Sequence, residues 1–209
     1  MSSSTGGRRR TQEERSAATV AKLIDATTNA IIEVGYAGAT TREICDRAGV
    51  SQGGLFRHFP TRRDLIVATL DHIYVVRSAA FASVVEPDLG GESAMGIAAQ
   101  LRRVRDFVRD PISMVFLEVV MASRTEPDLR EGVVSLLQRA EREILAIASR
   151  NPVVARMTDQ SRRVWFDFAQ QVLWIEALWA TSLPEQAYDD MKIDALVRLM
   201  FVLAHGRSE

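Results

Sequence analysis

The sequence predicts an all-helical protein, and three observations carry that expectation. Strand-like alternation is scarce. The six prolines, Pro60, Pro87, Pro111, Pro127, Pro152 and Pro184, fall between long stretches and not within them. Inside those stretches apolar residues recur three and four positions apart, the spacing of one helical face. A chain of 209 residues holds one domain or a small one joined to a larger one, and 47% apolar with 25% charged residues is an ordinary globular composition.

Residues 1–16, with Ser2–Ser4, Gly6, Gly7 and Arg8–Arg10, are expected as a disordered basic arm. Over 18–34, Leu23, Thr27, Ala30, Ile31 and Val34 share one helical face, and Gly35 is the expected stop. A short helix over 40–48 opens on Thr40-x-x-Glu43, read as a capping box in which each side chain satisfies a free N–H, and ends at Gly49. Ser51 then caps a third short helix over 52–58, which Phe59-Pro60 closes. Thr61 caps a longer helix, 62–84, with Leu65, Ala68, Thr69, His72 and Val76 on a shared face. Further helices are expected near 93–109, 111–124, 128–149, 159–182 and 186–205. In 159–182, Trp165, Phe168, Val172, Ile175 and Trp179 alternate three and four apart like a helix–helix seam, yet Phe166, Ala169, Leu173, Ala177 and Ala180 cover the other side. The last helix is apolar almost all round from Leu196 to Ala204. A helix apolar on more than one face must be buried on more than one face.

Charge is unevenly distributed behind a net value of -1: residues 1–63 carry 10 Lys/Arg against 6 Asp/Glu, and residues 64–209 carry 16 against 21. This points to a polyanion partner at one end, although a fluctuation of a few charges gives the same count. Arg outnumbers Lys 24 to 2 everywhere, so an arginine at any one place is no sign of phosphate recognition. The single cysteine, Cys45, forms no intrachain disulfide. The N-terminal stretch has no apolar core of a signal peptide, and no uninterrupted apolar run nears the ~18 residues of a membrane span, so a cytoplasmic location is expected. There is no Gly-rich phosphate loop and no H-E-x-x-H, and His58, His72 and His205 lack metal-ligand spacing. No enzyme activity, cofactor or metal is expected.

Function concentrates in residues 35–65, where two short helices flank Gly49-Val50-Ser51. A tight Gly-containing turn between short helices is helix-turn-helix geometry, which sets its second helix in a DNA major groove. It is equally a common structural hairpin. From Leu23 to Leu65 the sequence also resembles the DNA-binding domain of the TetR family of bacterial transcriptional regulators. The match lies in Gly35-Tyr36, Thr40-x-x-x-Ile44, Ala48-Gly49-Val50-Ser51-x-Gly53-x-Leu55-Phe56-x-His58-Phe59 and Leu65. Phe56 departs from the family's usual Tyr, whose hydroxyl reaches a phosphate, and Cys45 from its usual Ala.

The resemblance implies a basic arm (1–16), a three-helix DNA-binding domain (17–63), and a ligand-binding and dimerisation domain (64–209) joined by a long helix. Thr40, Thr41 and Arg42 would meet phosphate at a helix N-terminus. Ser51 would cap the recognition helix, Gln52 would read adenine, and Gly53 and Gly54 would let the backbone approach DNA. Phe56 would pack there, Arg57 would reach a base or a phosphate, and His58 with Arg62 or Arg63 would hold the phosphate strand. The Arg8–Arg10 run is either a solvated tail or a minor-groove arm. A pocket for a small, mostly apolar effector is expected from Phe107, Met114, Leu117, Glu118, Met121, Trp165, Phe168 and Gln171, all of which are also ordinary bundle filling. A homodimer interface is expected from Val172, Ile175, Trp179, Leu196, Leu199, Met200 and Leu203, with palindromic operator DNA as partner. The alternative is a helical ligand-binding or adaptor protein that keeps the helix-turn-helix only as scaffold.

Overall fold

The structure, a computed structural model, describes residues 11–85, 91–182 and 189–205. Arg8–Arg10, Pro87 and Pro184 lie outside these residues. Every regular element among the described residues is helical. The chain divides into two compact units, one up to His72 and one from Ile73, so the division falls inside a helix and not at the expected 63/64 boundary.

In the first unit, α1 (Gln12–Gly38) begins earlier than expected. Thr11 and Glu14 form a reciprocal capping box: Thr11 Oγ1 accepts from the Glu14 N–H at 3.2 Å, and Glu14 Oε2 accepts from the Thr11 N–H at 2.9 Å. Residues 12–16 are therefore helical, a correction to the expected arm over 1–16, because that box satisfies two donors the helix end leaves free. At Gly35, the expected stop, the backbone leaves the helical conformation (φ 74°, ψ 168°), and a short further turn across this kink carries α1 to Gly38. The next helix, α2 (Thr41–Ala48), has only half of its expected capping box. Thr40 Oγ1 accepts from the Glu43 N–H at 3.2 Å, but the Thr40 N–H donates to the Gly38 carbonyl, and the Glu43 carboxylate instead holds Arg47 at 2.7 Å.

Gly49 closes α2 in the left-handed region (φ 63°), a conformation that costs a side-chain-bearing residue about 1–2 kcal/mol. Ser51 Oγ caps α3 (Gln52–His58) by accepting from the Gly54 N–H at 3.1 Å. Phe59, extended before Pro60, ends it. A second reciprocal cap, Thr61 with Asp64, opens α4 (Arg62–Val84). Helices as short as α2 and α3 do not hold alone. Their inward residues Ile44 and Leu55 are fully buried, as are Leu23 and Ile31 of α1 and Leu65 and Ile66 of α4. Each contributes about 1.5–3 kcal/mol of burial.

The second unit continues α4 and adds α5 (Ala94–Val108), α6 (Pro111–Ser123), α7 (Pro127–Ala148), α8 (Pro152–Ala155), α9 (Asp159–Ala180) and α10 (Asp189–Ala204). Pro111, Pro127 and Pro152 each stand in the first turn of a helix, where a missing N–H costs nothing. The single turn α8, capped by Asn151, has too little periodicity for sequence reading to find it. The core gathers Ile97 and Leu101 of α5, Val153 and Val154 of α8, Trp165, Phe166 and Leu173 of α9, and Ile193, Leu196 and Met200 of α10. Among the described helices only α4 is long and apolar enough, by length and composition, to cross a membrane. Its Leu65, Ile66, Leu70, Ile73 and Tyr74 are instead buried within the protein.

Candidate nucleic-acid interface

Leu55 and Phe59 are buried, and the opposite surface of α3 faces out. Gln52, Gly53, Phe56 and Arg57 are exposed, Phe56 by 46%. The start of α2 is open as well: Thr40 and Arg42 are exposed and Thr41 is half-buried. The Arg42 side chain makes only a 3.8 Å contact with Asp46 and is 86% exposed. His58 is half-buried at the end of α3, and Arg63 stands exposed at the start of α4, 3.1 Å from Asp64. The exposed positions of α2, α3 and the start of α4 thus offer a helix N-terminus, hydroxyls, an amide and guanidinium groups, donor types able to meet phosphates and base edges.

Three of the expected contact residues differ in their surroundings. A Cβ on Gly54 would stand 2.9 Å from Val50 Cγ1 and 3.3 Å from Ser51 Oγ, so packing of the turn requires glycine there. A Cβ on Gly53 would meet nothing within 4 Å. Arg62 is turned into the protein: its Nε donates to the Ala39 carbonyl at 2.9 Å and its Nη2 to the Tyr36 carbonyl at 2.5 Å. Arg47, which sequence reading does not single out, ties α2 to α1 through Glu33 at 2.7 Å and Glu43 at 2.7 Å. The hydrogen bond to Glu33, and next the one to Glu43, raise its already high pKa. Cys45 is buried, and burial pushes its thiol up, away from the reactive thiolate.

Residues 23–69 match the family model for bacterial regulatory proteins of the tetR family. The chain is 31% identical over 191 residues to an uncharacterised HTH-type transcriptional regulator of Mycobacterium tuberculosis, covering 91% of this chain and 97% of that one. The chain belongs to the TetR family. It is a DNA-binding transcriptional regulator of bacterial type. It is also 33% identical over 135 residues to the regulator CymR of Pseudomonas putida, 63% of this chain and 64% of that one. Two solved structures have the same fold. A transcriptional regulator from Rhodococcus sp. Rha1 has a TM-score of 0.66 at 23% identity, with 90% of this chain and 96% of that chain covered. The multidrug binding protein EbrR complexed with proflavin has a TM-score of 0.58 at 22% identity, with 87% and 99% covered.

The second unit of this TetR-family regulator holds a partly open cavity of about 450 Å³ between α4, α5, α6, α7 and α9. Of the residues expected to line a pocket, Phe107, Leu117 and Gln171 do so. Trp165 lines a smaller space of about 130 Å³ and donates its indole N–H to the Leu196 carbonyl at 3.3 Å. Met114, Glu118, Met121 and Phe168 line neither, and Met121 and Phe168 are exposed. Helical phase is the cause: on α6 the lining positions are 112, 113, 116, 117 and 120, one face, and 114, 118 and 121 lie off it. Tyr74, Arg77 and Phe81 of α4, three and four apart, supply a wall that their spacing foreshadows.

Two polar anchors stand in that wall. Arg77 lies over the Phe107 ring, 4.0 Å from its centroid, and donates to the Phe107 carbonyl at 2.6 Å and Ser113 Oγ at 2.8 Å, with Asp110 at 3.5 Å. Burial lowers its pKa. The Tyr74 hydroxyl donates to the Glu143 carboxylate; burial first, then that bond, pushes its pKa up to about 12.

The expected dimer residues divide too. Leu196 and Met200 belong to the chain's own core and present nothing to a partner, a correction to their assignment. Val172, Leu199 and Leu203 are half-buried. Ile175 and Trp179 are exposed, and Val164, Phe168 and Leu178 of α9 with Met191 and Val202 of α10 extend the exposed apolar surface. The inner face of α9 is the one carrying Phe166, Ala169, Leu173 and Ala177, with Glu176 buried beside them and paired to Lys192 at 2.9 Å.

Proposed function

We propose that this regulator is a cytoplasmic homodimeric repressor that holds a palindromic operator and is released from it by a small, mostly apolar ligand. The observation that carries the reading is the outward face of α3 beside the open N-terminus of α2. Gln52 and Arg57 read the major groove, with Gln52 suited to a bidentate bond to adenine. Thr40, Thr41, Arg42, His58 and Arg63 hold phosphates, and the bare Gly53 lets the groove edge come close. Ser51, Gly54 and Phe56 shape this face from the turn and the α3 surface.

Exposed Ile175 and Trp179, with their apolar neighbours on α9 and α10, support a second copy as cover, since large exposed apolar patches mark interfaces. The aromatic cavity supports a ligand held by apolar contact and oriented by Arg77, Tyr74 or Gln171. EbrR, with the same fold, is described in complex with the planar aromatic proflavin. Coupling runs along α4, which carries Arg63 in the first unit and Tyr74, Arg77 and Phe81 at the cavity. A ligand that prefers one arrangement of α4 weakens operator binding about 5–150-fold, and the operator weakens the ligand by the same factor.

Selection from a random duplex pool tests the reading. The expected product is a palindrome with half-sites about 34–36 Å apart or a near multiple, bound by a species of twice the chain mass in sedimentation. A monomer that enriches no sequence overturns it and favours a scaffold role.

A further inference from the structure

Arg62 and Arg63 open the same helix and are chemically identical, but they face different surroundings. Arg63 is exposed beside Asp64. Arg62 is half-buried, with its guanidinium 4.3 Å from the Tyr36 ring centroid, its Nε on the Ala39 carbonyl at 2.9 Å and its Nη2 on the Tyr36 carbonyl at 2.5 Å. Both carbonyls belong to the corner between the Gly35 kink and Thr40, the residue that caps α2. Ala39 is fully buried, and its carbonyl comes just before the first turn of α2. A buried carbonyl deprived of its donor is costly, because no water replaces the lost hydrogen bond.

We propose that Arg62 is a positioning residue that clamps the entry of α2 to the start of α4, and that it is not a phosphate ligand. Its rigid, forked guanidinium reaches two carbonyls and a ring at once, which a flexible ammonium does not. The clamp joins the chain just after α3 to the chain just before α2. It thereby sets the separation of the two elements that meet DNA. The proposal rests on the reading of the α2 N-terminus and α3 as the DNA face.

The test uses Arg62→Met, which keeps the aliphatic stem, with Arg63→Met and Tyr36→Leu beside it. Two measurements are made on the full chain: amide hydrogen exchange without DNA, and salt titration of binding to the duplex that the unmodified protein selects from a random pool. Arg62→Met is expected to speed exchange of amides 36–43 by about tenfold or more, the scale of one lost charged hydrogen bond. Operator affinity is expected to fall by about tenfold with the slope of log affinity against log salt unchanged. Arg63→Met is expected to leave exchange unchanged and to lower the slope by about 0.9, as loss of one phosphate contact does.

Unchanged exchange together with a slope lowered by about 0.9 in Arg62→Met makes Arg62 a phosphate ligand and overturns the proposal. If Arg62→Met unfolds the first unit, Tyr36→Leu decides. Faster exchange confined to the 36–43 corner supports the clamp, and exchange as in the unmodified protein overturns it. Should the chain select no duplex, the DNA reading fails by itself, and the exchange arm still decides whether Arg62 holds the corner.

Discussion

Truncating Trp179 to alanine is the sharpest test of the proposed dimer, because its size follows from the structure. The residue exposes 55% of its surface at the end of α9. An aromatic side chain buries roughly 150–250 Å² in full, so about 80–140 Å² of Trp179 is left for a partner to cover. At ~25 cal/mol per Å² this is about 2–3.5 kcal/mol per protomer. A two-fold interface contains the residue twice, which gives about 4–7 kcal/mol and a dimer dissociation constant raised roughly 10³–10⁵-fold. Because the ring lies outside the chain's own core, helix content should change little, while the melting temperature should fall by the stabilisation that the lost dimer supplied. Sedimentation velocity at low micromolar concentration should then find Trp179→Ala monomeric where the parent protein is dimeric. Val75→Ala, at a still more exposed apolar position on α4, should leave the dimer intact. A Trp179→Ala protein that sediments as a dimer across the same range would refute the assignment of this face.

Phe56→Tyr restores a phenolic donor on a ring that is already half exposed, and should tighten operator binding about 2–10-fold in fluorescence anisotropy; weaker binding contradicts the orientation of α3. Gly54→Ala should lose about 1–3 kcal/mol of stability by chemical denaturation, since its Cβ meets Val50 Cγ1 at 2.9 Å. Gly53→Ala should stay within about 0.5 kcal/mol of the parent in stability yet bind DNA more weakly, and equal losses at the two glycines would contradict the packing described. For Tyr74 the folded-state pKa is raised from 10.0 to about 12, so the contribution of its neutral hydroxyl is complete below about pH 10 and disappears as pH rises through about 12. Ultraviolet titration should resolve one late tyrosine that Tyr74→Phe removes.

Helices of the first unit were legible because each is punctuated by local chemistry. Ser51 and Thr61 as caps and Gly49 as a left-handed stop act within a few residues of themselves, so spacing alone exposes them. The exceptions have equally local causes. Thr11-x-x-Glu14 extends α1 into a stretch whose composition looks like a tail, and Glu43 abandons its expected cap because Arg47 and Glu33 offer it an ion-pair network that only the folded pair of helices brings together. In the second unit helix existence is legible from periodicity, while the direction of each face is not. On α9 two apolar faces compete, and nothing in their spacing says that Phe166 and Leu173 go inward while Phe168 and Ile175 go out.

The same limit governs the functional residues, and Arg62 and Arg63 state it most plainly. Adjacent positions on a helix point about 100° apart, so of two neighbouring arginines one can face solvent and the other its own fold. Composition treats them alike, and a motif aligned by residue type treats them alike. The difference arises from the corner at Tyr36 and Ala39, more than twenty positions earlier in the chain, which presents two carbonyls and a ring to one direction only. Long-range partners of this kind also decide the cavity. Phe107 and Leu117 enter it and Met121 does not, because the neighbouring helices select one face of each. Residue type in the sequence thus identifies what a position is able to do, and partners distant in sequence choose which of the able residues does it.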